Sequence, residues 1–273
     1  MEIVLMLALG AAACYGVSDF VAGMLSRRVH YPVVGLTGQV ASAAGAVCAA
    51  VLLGPAGPDA RTLLYGAAAG VGSAVGTLAL YRGMARGGMN VAGPLSAVGA
   101  ASIPVLVALV AGQALSTAAV IGICLAVPGI WLVASESGPR GRGGVGEGLV
   151  SGAGFGVLFL CLDQAGDGTG LWPVAVSQIT SVVVLAAVVA KGRQASGRPP
   201  LAAVWAGLLG AAATILYFHA AHRGGAAVAA VITSLYPAFT VALTAIVVRE
   251  RTTLVHGAGL VLCAVSVGVF VAG

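Results

Sequence analysis

Long apolar segments alternate with short polar breaks along the whole chain. An apolar run of roughly 20 residues is long enough to cross a bilayer as a helix, and the chain contains ten. The breaks between them hold glycine and proline, which end helices. The predicted spans are 3–25, 32–53, 62–84, 91–110, 117–134, 147–164, 171–190, 201–221, 226–248 and 253–271. The pattern therefore predicts an all-α integral membrane protein with ten transmembrane helices.

The second half of the sequence repeats part of the first at an offset of 137 residues, which places Ala85-Arg86-Gly87-Gly88 on His222-Arg223-Gly224-Gly225. Self-similarity at half the chain length indicates an internal repeat, which in a membrane chain is typical of transporters. The same offset aligns Thr77 with Thr214, Tyr81 with Phe218, Ser96 with Thr233, Gln113 with Glu250 and Gly122 with Gly259.

We therefore predict a first repeat over residues 1–135, a cytoplasmic linker over 136–146 and a second repeat over 147–273. Each repeat has five spans, so the second copy enters the membrane from the opposite side. Two inverted copies of one unit are suited to alternating access, because exchanging their conformations turns a cavity from one side of the membrane to the other.

Composition agrees with a membrane location. Apolar residues make up 59% of the 273 residues and charged residues only 8%, whereas a soluble domain carries about 25% charged residues. The five cysteines lie inside apolar runs without metal-type spacing, so we expect them to pack as small hydrophobic residues. The first span has no basic segment before it and ends at Arg27-Arg28, which favours a retained helix over a cleaved signal peptide.

Basic residues indicate how the helices are oriented. Ten spans place eleven of the 13 Lys and Arg residues on the side reached by the loops after odd-numbered spans, and two on the other. Positive charge in short loops marks the cytoplasmic side, so we predict that both termini face outside the inner or plasma membrane of the cell. The basic residues are scattered rather than clustered, which argues against a nucleic-acid partner despite the net charge of +5.

Asp19 is the most informative single residue, since it lies within the first span. A carboxylate there costs about 2.5–3.5 kcal/mol on insertion scales unless it faces protein or water. One interpretation is a proton or cation site, or a partner for a substrate amine. The other is a carboxylate that reaches towards Arg27, Arg28 or Arg82, and the sequence leaves both open.

Other polar and aromatic residues recur at matched depths in the two halves. Pro94 and Pro104 interrupt the fourth span, and Ser234-Leu235-Tyr236-Pro237 lies near the middle of the ninth. Such breaks often line a cavity, although a kinked helix whose serines bond their own backbone is an alternative. The predicted substrate-binding and coupling residues are Tyr15, Ser18, Asp19, Tyr81, Ser96, Phe155, Tyr217, His219, Ser234 and Tyr236.

Two further patterns receive structural interpretations. Glycines four residues apart, at 66, 70, 72 and 76 and at 148, 152 and 156, predict close helix packing. His219 and His222 lie three apart with no evident third ligand, so no metal site is predicted. The sequence contains no P-loop and none of the common hydrolase motifs. We expect no enzyme activity and no cofactor, so uphill transport would depend on an ion gradient.

Several motifs together resemble the drug/metabolite transporter superfamily, in particular its ten-helix branch built from two EamA repeats. They are the segment from Tyr15 to Phe20, the two Arg-Gly-Gly turns, and Ser234-Leu235-Tyr236-Pro237 followed by Glu250. The resemblance implies a central cavity lined by helices one, three, four, six, eight and nine, and export or exchange of small metabolites. The chain departs from the family in having Gln113 where a glutamate is common and Tyr15 where a tryptophan is common.

The predicted function is a secondary active transporter for small neutral, zwitterionic or amphiphilic metabolites, with export favoured by the resemblance. The predicted membrane core contains no Lys or Arg, which disfavours sugar phosphates. Proton coupling through Asp19 and a homodimer are left open. The alternatives are a channel-like facilitator and, less favoured, a membrane-embedded lipid-handling protein. The expected partners are a small-molecule solute, the lipid bilayer and, if transport is coupled, protons.

Overall fold

The computed structural model describes residues 2–53, 57–86, 89–112, 116–134, 144–191, 201–243, 246–247 and 254–272. Within these ranges the chain is helical and contains no β-strand. The helices are α1 (Glu2–Ser26), α2 (Tyr31–Leu53), α3 (Ala60–Ala85), α4 (Met89–Val110), α5 (Thr117–Ala134), α6 (Val145–Ala165), α7 (Trp172–Lys191), α8 (Leu201–Gly224), α9 (Ala226–Thr233), α10 (Tyr236–Leu243) and α11 (Leu254–Ala272).

The ninth predicted span, 226–248, is wrong as a single helix. It forms α9 and α10, which a turn at Ser234 and Leu235 separates. Pro237 has no backbone N–H with which to continue the helical bonding. The chain tightens instead, because the Leu235 N–H donates to the Ile232 carbonyl at 3.1 Å, three residues back. The other nine spans begin and end within three residues of the predicted bounds.

The fourth span differs from its prediction in the opposite sense. α4 runs unbroken from Met89 to Val110, through both Pro94 and Pro104. Membrane helices tolerate proline where neighbouring helices and side chains satisfy the freed carbonyls. The predicted interruption of this helix is therefore wrong, and the two equivalent spans differ in continuity.

The outer surface of the bundle is apolar. Six of the described helices, α1, α2, α3, α6, α7 and α8, are long and apolar enough to cross a membrane by length and composition. Leu53, Val110 and Leu254 are 77%, 90% and 93% exposed. Side chains of this kind are stable on the outside of a protein when lipid surrounds them.

The most extensive helix contacts join the two halves of the chain. α3 packs on α6 and α7, and α8 packs in the reciprocal way on α1 and α2. α4 packs on α6, while α9 and α10 pack on α1. α5 packs on α11, and α2 on α7. Helices within one half contact each other much less, so each half depends on the other for its packing partners.

Glycines make these crossings possible, as predicted from their spacing. Gly66 and Gly70 face α7, whereas Gly72 and Gly76 face α6. A Cβ on Gly72 would lie 2.5 Å from the carbonyl oxygen of Gly154, which is closer than atoms can pack. The second glycine series, Gly148, Gly152 and Gly156, faces α4. The predicted packing role of both series is confirmed.

The second Arg-Gly-Gly turn also needs its glycines. Gly225 has a φ of 84°, a left-handed conformation that glycine adopts without strain. Gly224 packs directly on Val4 of α1, where an added Cβ would collide with the valine side chain. This turn thus brings the start of α9 close to the first helix.

Polar contacts tie α3 to the second half of the chain at both of its ends. At one end, Arg86 Nη1 donates to Glu147 Oε1 at 3.0 Å, and Arg82 Nε lies 3.7 Å from the same oxygen. At the other end, Arg61 Nε donates to the Gln164 carbonyl at 2.8 Å. α3 begins there at Asp59, whose carboxylate accepts the Thr62 N–H at 2.7 Å. That bond holds the pKa of the Asp59 carboxyl below its usual range.

Some sequence predictions fall on residues that the structure does not describe. These are Gly87 and Gly88 of the first Arg-Gly-Gly turn, Gln113, Glu250, and residues 136–143 of the predicted linker.

A candidate solute cavity

A cavity lies between the crossing helices, where the two halves of the chain meet. Side chains from α1, α2, α3, α4, α6, α7, α8 and α10 line it. This set includes the helices that the family resemblance implies and adds α2 and α7. The volume open to the centres of water molecules is about 70 Å³, whereas one water needs roughly 10–15 Å³ by the same measure. The cavity therefore suits a small solute.

Asp19 lies in the cavity wall and is 8% exposed. The close approach of α1 to α10 positions this part of the helix, because Gly16 packs on the Tyr236 carbonyl and the Thr240 hydroxyl donates to the Gly16 carbonyl at 3.1 Å. Both printed ion pairs of the described residues belong to Glu147, one of them with Arg82. The interpretation in which Asp19 pairs with Arg82 is not seen, and the carboxylate faces the cavity instead.

Aromatic rings surround the carboxylate-bearing part of α1. The Tyr15 ring lies 6.4 Å from both the Phe159 and Tyr236 rings, centroid to centroid. Tyr81 and Phe155 complete the aromatic lining. The faces of such rings attract cations, and they also pack against apolar parts of a solute.

Tyr15 is held by a hydrogen bond that crosses between the halves. Its hydroxyl lies 2.8 Å from Thr214 Oγ1 of α8. Thr214 uses its own proton on the Gly210 carbonyl at 2.8 Å, so Tyr15 is the donor. On α10, the Tyr236 hydroxyl donates to the Gly93 carbonyl at 3.1 Å. Both tyrosines are thereby fixed in orientation while their rings line the cavity.

Two glutamines that were not among the predicted site residues also line the cavity. Gln39 of α2 donates from Nε2 to Ser73 Oγ at 3.1 Å. Gln178 of α7 donates from Nε2 to Thr214 Oγ1 at 3.3 Å. A polar amide within a long apolar span is a signal that the sequence offered, since membrane helices usually direct such groups inward.

Six of the ten predicted site residues come together around the cavity. They are Tyr15, Ser18, Asp19, Tyr81, Phe155 and Tyr236. Ser18 uses its hydroxyl to donate to the Ala206 carbonyl of α8 at 2.8 Å. The roles of these residues in binding and coupling remain predictions.

The structure places the other four predicted residues outside the lining. Ser96 is fully buried against α6, with its hydroxyl 2.8 Å from that of Ser151. Tyr217 stacks on Phe159 with ring centroids 4.1 Å apart. Ser234 is buried in the turn between α9 and α10. His219 lies near the end of α8, in edge contact with Phe218.

His222, the second histidine of that helix, has a local partner. Its Nδ1 lies 2.9 Å from the Phe218 carbonyl, one helical turn back. No group of three His, Cys, Asp or Glu side chains with metal-binding geometry occurs among the described residues.

Charge in the cavity is one-sided. Asp19 is the only ionisable acid in the lining, and no Lys, Arg or His belongs to it among the described residues. The equivalent position in the second half, found by aligning Tyr15 with Phe155, is Phe159. The two halves thus contribute similar helices to the cavity but only one carboxylate.

Comparison with known proteins decides the family. Residues 144–272 match the model of the EamA-like transporter family. The chain carries an EamA-like transporter domain. The resemblance to the drug/metabolite transporter superfamily is thereby confirmed.

The EamA-like domain and the apolar helices together support a multi-pass membrane transporter. A solved crystal structure resembles the whole chain, with a TM-score of 0.76 and 14% sequence identity, over 98% of this chain and 96% of that one. Identity this low shows a shared fold alone. No curated protein matches the sequence.

Proposed function

We propose that this EamA-like protein is a secondary carrier that moves a small solute by alternating access between two inverted repeats, residues 1–135 and 147–273. The reciprocal packing of the helices supports the repeats, because α3 meets α7 as α8 meets α2. Gly70 and Gly207 lie 137 residues apart, and both mark these crossings. A cavity between inverted halves is the place where a carrier can expose one site to either side.

The observation that carries the proposal is the buried carboxylate of Asp19 in that cavity. A carboxylate inside a membrane is costly to keep, so its retention without an ion pair among the described residues favours a role in binding. We assign to it a proton or a cationic group of the solute. Competition between the two for one carboxylate would couple solute export to proton entry.

Orientation follows from the counted charges. The end of the bundle where Arg82 and Arg86 meet Glu147 is cytoplasmic in this proposal, in agreement with the excess of basic residues in the loops on that side. Both termini then lie outside the inner or plasma membrane. Export is the direction favoured by the superfamily.

The test uses purified protein in proteoliposomes that contain a pH-sensitive dye. Pooled amino acids, nucleosides and small amines are added under an imposed proton gradient, in parallel with radiolabelled counterflow. We expect saturable counterflow and solute-dependent proton movement, with the proton movement lost in Asp19→Asn. Asp167→Asn is the matched control, since Asp167 is exposed in the loop between α6 and α7.

Two outcomes would contradict the proposal in different ways. Counterflow without proton movement would remove Asp19 as a coupling residue but keep the carrier. Flux that rises linearly with concentration and shows no counterflow would indicate a channel-like facilitator instead.

A further inference from the structure

Hydrogen-bond acceptors in the cavity outnumber the groups that satisfy them. The amide nitrogens of Gln39 and Gln178 are anchored on hydroxyls of α3 and α8. Their amide oxygens, Oε1 in both residues, are buried without a partner among the described residues. Ser42 of α2 also lines the cavity, and its buried hydroxyl oxygen has no partner either.

The two glutamines occupy corresponding places in the two halves. Gln39 lies beside Thr77 of α3, with its Nε2 3.5 Å from Thr77 Oγ1, as Gln178 lies beside Thr214 of α8. Thr77 and Thr214 are themselves equivalent by the 137-residue offset. α2 and α7 pack on each other, so the pair brings one amide from each half into the same cavity.

A buried acceptor without a donor destabilises the protein, and a ligand that supplies the donor removes that cost. Gln178 is only 4% exposed, so bulk water has little access to it. The pair is therefore specific for a solute rich in N–H groups. Serving as a simple packing contact would not require polar atoms at both positions.

Charge narrows the class of solute further. Asp19 attracts a cation, and the aromatic faces around it also favour one. The carboxylate of an amino acid would meet Asp19 and find no basic side chain among the described lining residues. The small volume of about 70 Å³ excludes bulky amphiphiles from this conformation.

We propose that Gln39 and Gln178 bind the primary ammonium group of a small amine solute beside Asp19. A primary ammonium has three N–H donors, which match two amide oxygens and one carboxylate. This inference rests on the proposed carrier function of the same cavity and specifies the class of its solute.

The first test measures binding rather than transport. The full-length protein in lipid nanodiscs is dialysed against radiolabelled ethylammonium, and methylammonium, dimethylammonium, trimethylammonium and tetramethylammonium compete with it. We expect affinity to fall with each N–H that a methyl group replaces, by about tenfold or more over the series, because charge-assisted hydrogen bonds are the strong ones. Equal or tighter binding of tetramethylammonium would overturn the proposal and indicate an aromatic cation site instead.

The second test removes the acceptors. Gln39→Leu and Gln178→Leu keep the side-chain size but have no amide, and each is expected to weaken ethylammonium binding about tenfold. Tetramethylammonium affinity should stay unchanged in both variants, which also shows that they are folded. Gln164→Leu is the matched control, since Gln164 is exposed at the end of α6. Unchanged ethylammonium binding in both cavity variants would refute the role of the pair.

Failure of this inference is distinguishable from failure of the proposed function. Counterflow of another solute from the pool, with no ethylammonium binding, overturns the ammonium site and leaves the carrier. Ethylammonium binding that depends on the glutamines, with no counterflow of any pooled solute, supports the ammonium site and contradicts the carrier.

Discussion

Gly207 and Gly38 pack backbone against backbone where α8 crosses α2. A Cβ on Gly207 would overlap the carbonyl of Gly38. At the equivalent crossing of α3 and α7, a Cβ on Gly70 would overlap the carbonyl of Ser177. Small residues at such crossings allow helices to approach closely in lipid. These two contacts hold the halves together on either side of the cavity.

Gly207→Ala is expected to lower the free energy of unfolding by about 1–3 kcal/mol, because the added methyl group forces the helices apart. Thermal unfolding in nanodiscs measures the effect. Gly210→Ala, one turn along the same helix, is the matched control, since its nearest neighbour is the Ser18 hydroxyl oxygen at 3.8 Å. An equal loss in both variants would show that helix propensity, rather than the crossing, decides stability.

The ion pair between Arg86 and Glu147 should be weak but directional. Arg86 is largely exposed, and exposed pairs contribute about 0.2–1 kcal/mol. Arg86→Glu should destabilise the protein by roughly that amount, and adding Glu147→Arg should restore most of it. Arg82→Gln should have a smaller effect, because its nitrogen lies 3.7 Å from the carboxylate rather than 3.0 Å. A double-mutant cycle with no coupling energy would contradict this contact.

Ser96 should matter for stability and not for solute binding. Ser96→Ala leaves the Ser151 hydroxyl buried without its partner, at a cost of about 1–3 kcal/mol. The double variant with Ser151→Ala should be less destabilised than the sum of the single changes. Counterflow measured at a temperature well below unfolding should be unchanged. A selective loss of counterflow would return Ser96 to the site.

Asp19→Asn should separate stability from function. Asparagine has the same shape and no charge, so the free energy of unfolding should stay equal or rise by roughly 1 kcal/mol. Proton-coupled transport should be lost in the same preparation. Thermal unfolding and the dye assay together test both parts. A clear fall in thermal stability would show that the carboxylate has a structural partner.

The sequence predicted the helices well because their signal is local. Lipid makes each span a continuous apolar run, and glycine and proline mark its ends. Prolines were less informative, since Pro237 breaks its helix whereas Pro104 does not. Whether a proline breaks a membrane helix depends on the neighbours that satisfy the freed carbonyls, and these are unknown before the helices are packed.

The cavity was predictable only in part. Matched positions in the repeats indicate depth along a helix but not which neighbour the side chain faces. Ser96 has the expected depth and yet faces α6. Gln39 and Gln178 escaped notice because they lie 139 residues apart, outside the ungapped alignment at 137. A search for polar residues within apolar spans, without the alignment, would have found both.

The interleaving of the halves has a consequence for synthesis. The surfaces of α2, α3 and α4 that pack on α6, α7 and α8 have no partner until the second half of the chain has been made. Five inserted helices must therefore wait in the bilayer with their glycine-lined faces open to lipid or to other proteins. Tertiary assembly of this chain is a late event, and a ribosome that stops midway leaves an adhesive fragment rather than half a transporter.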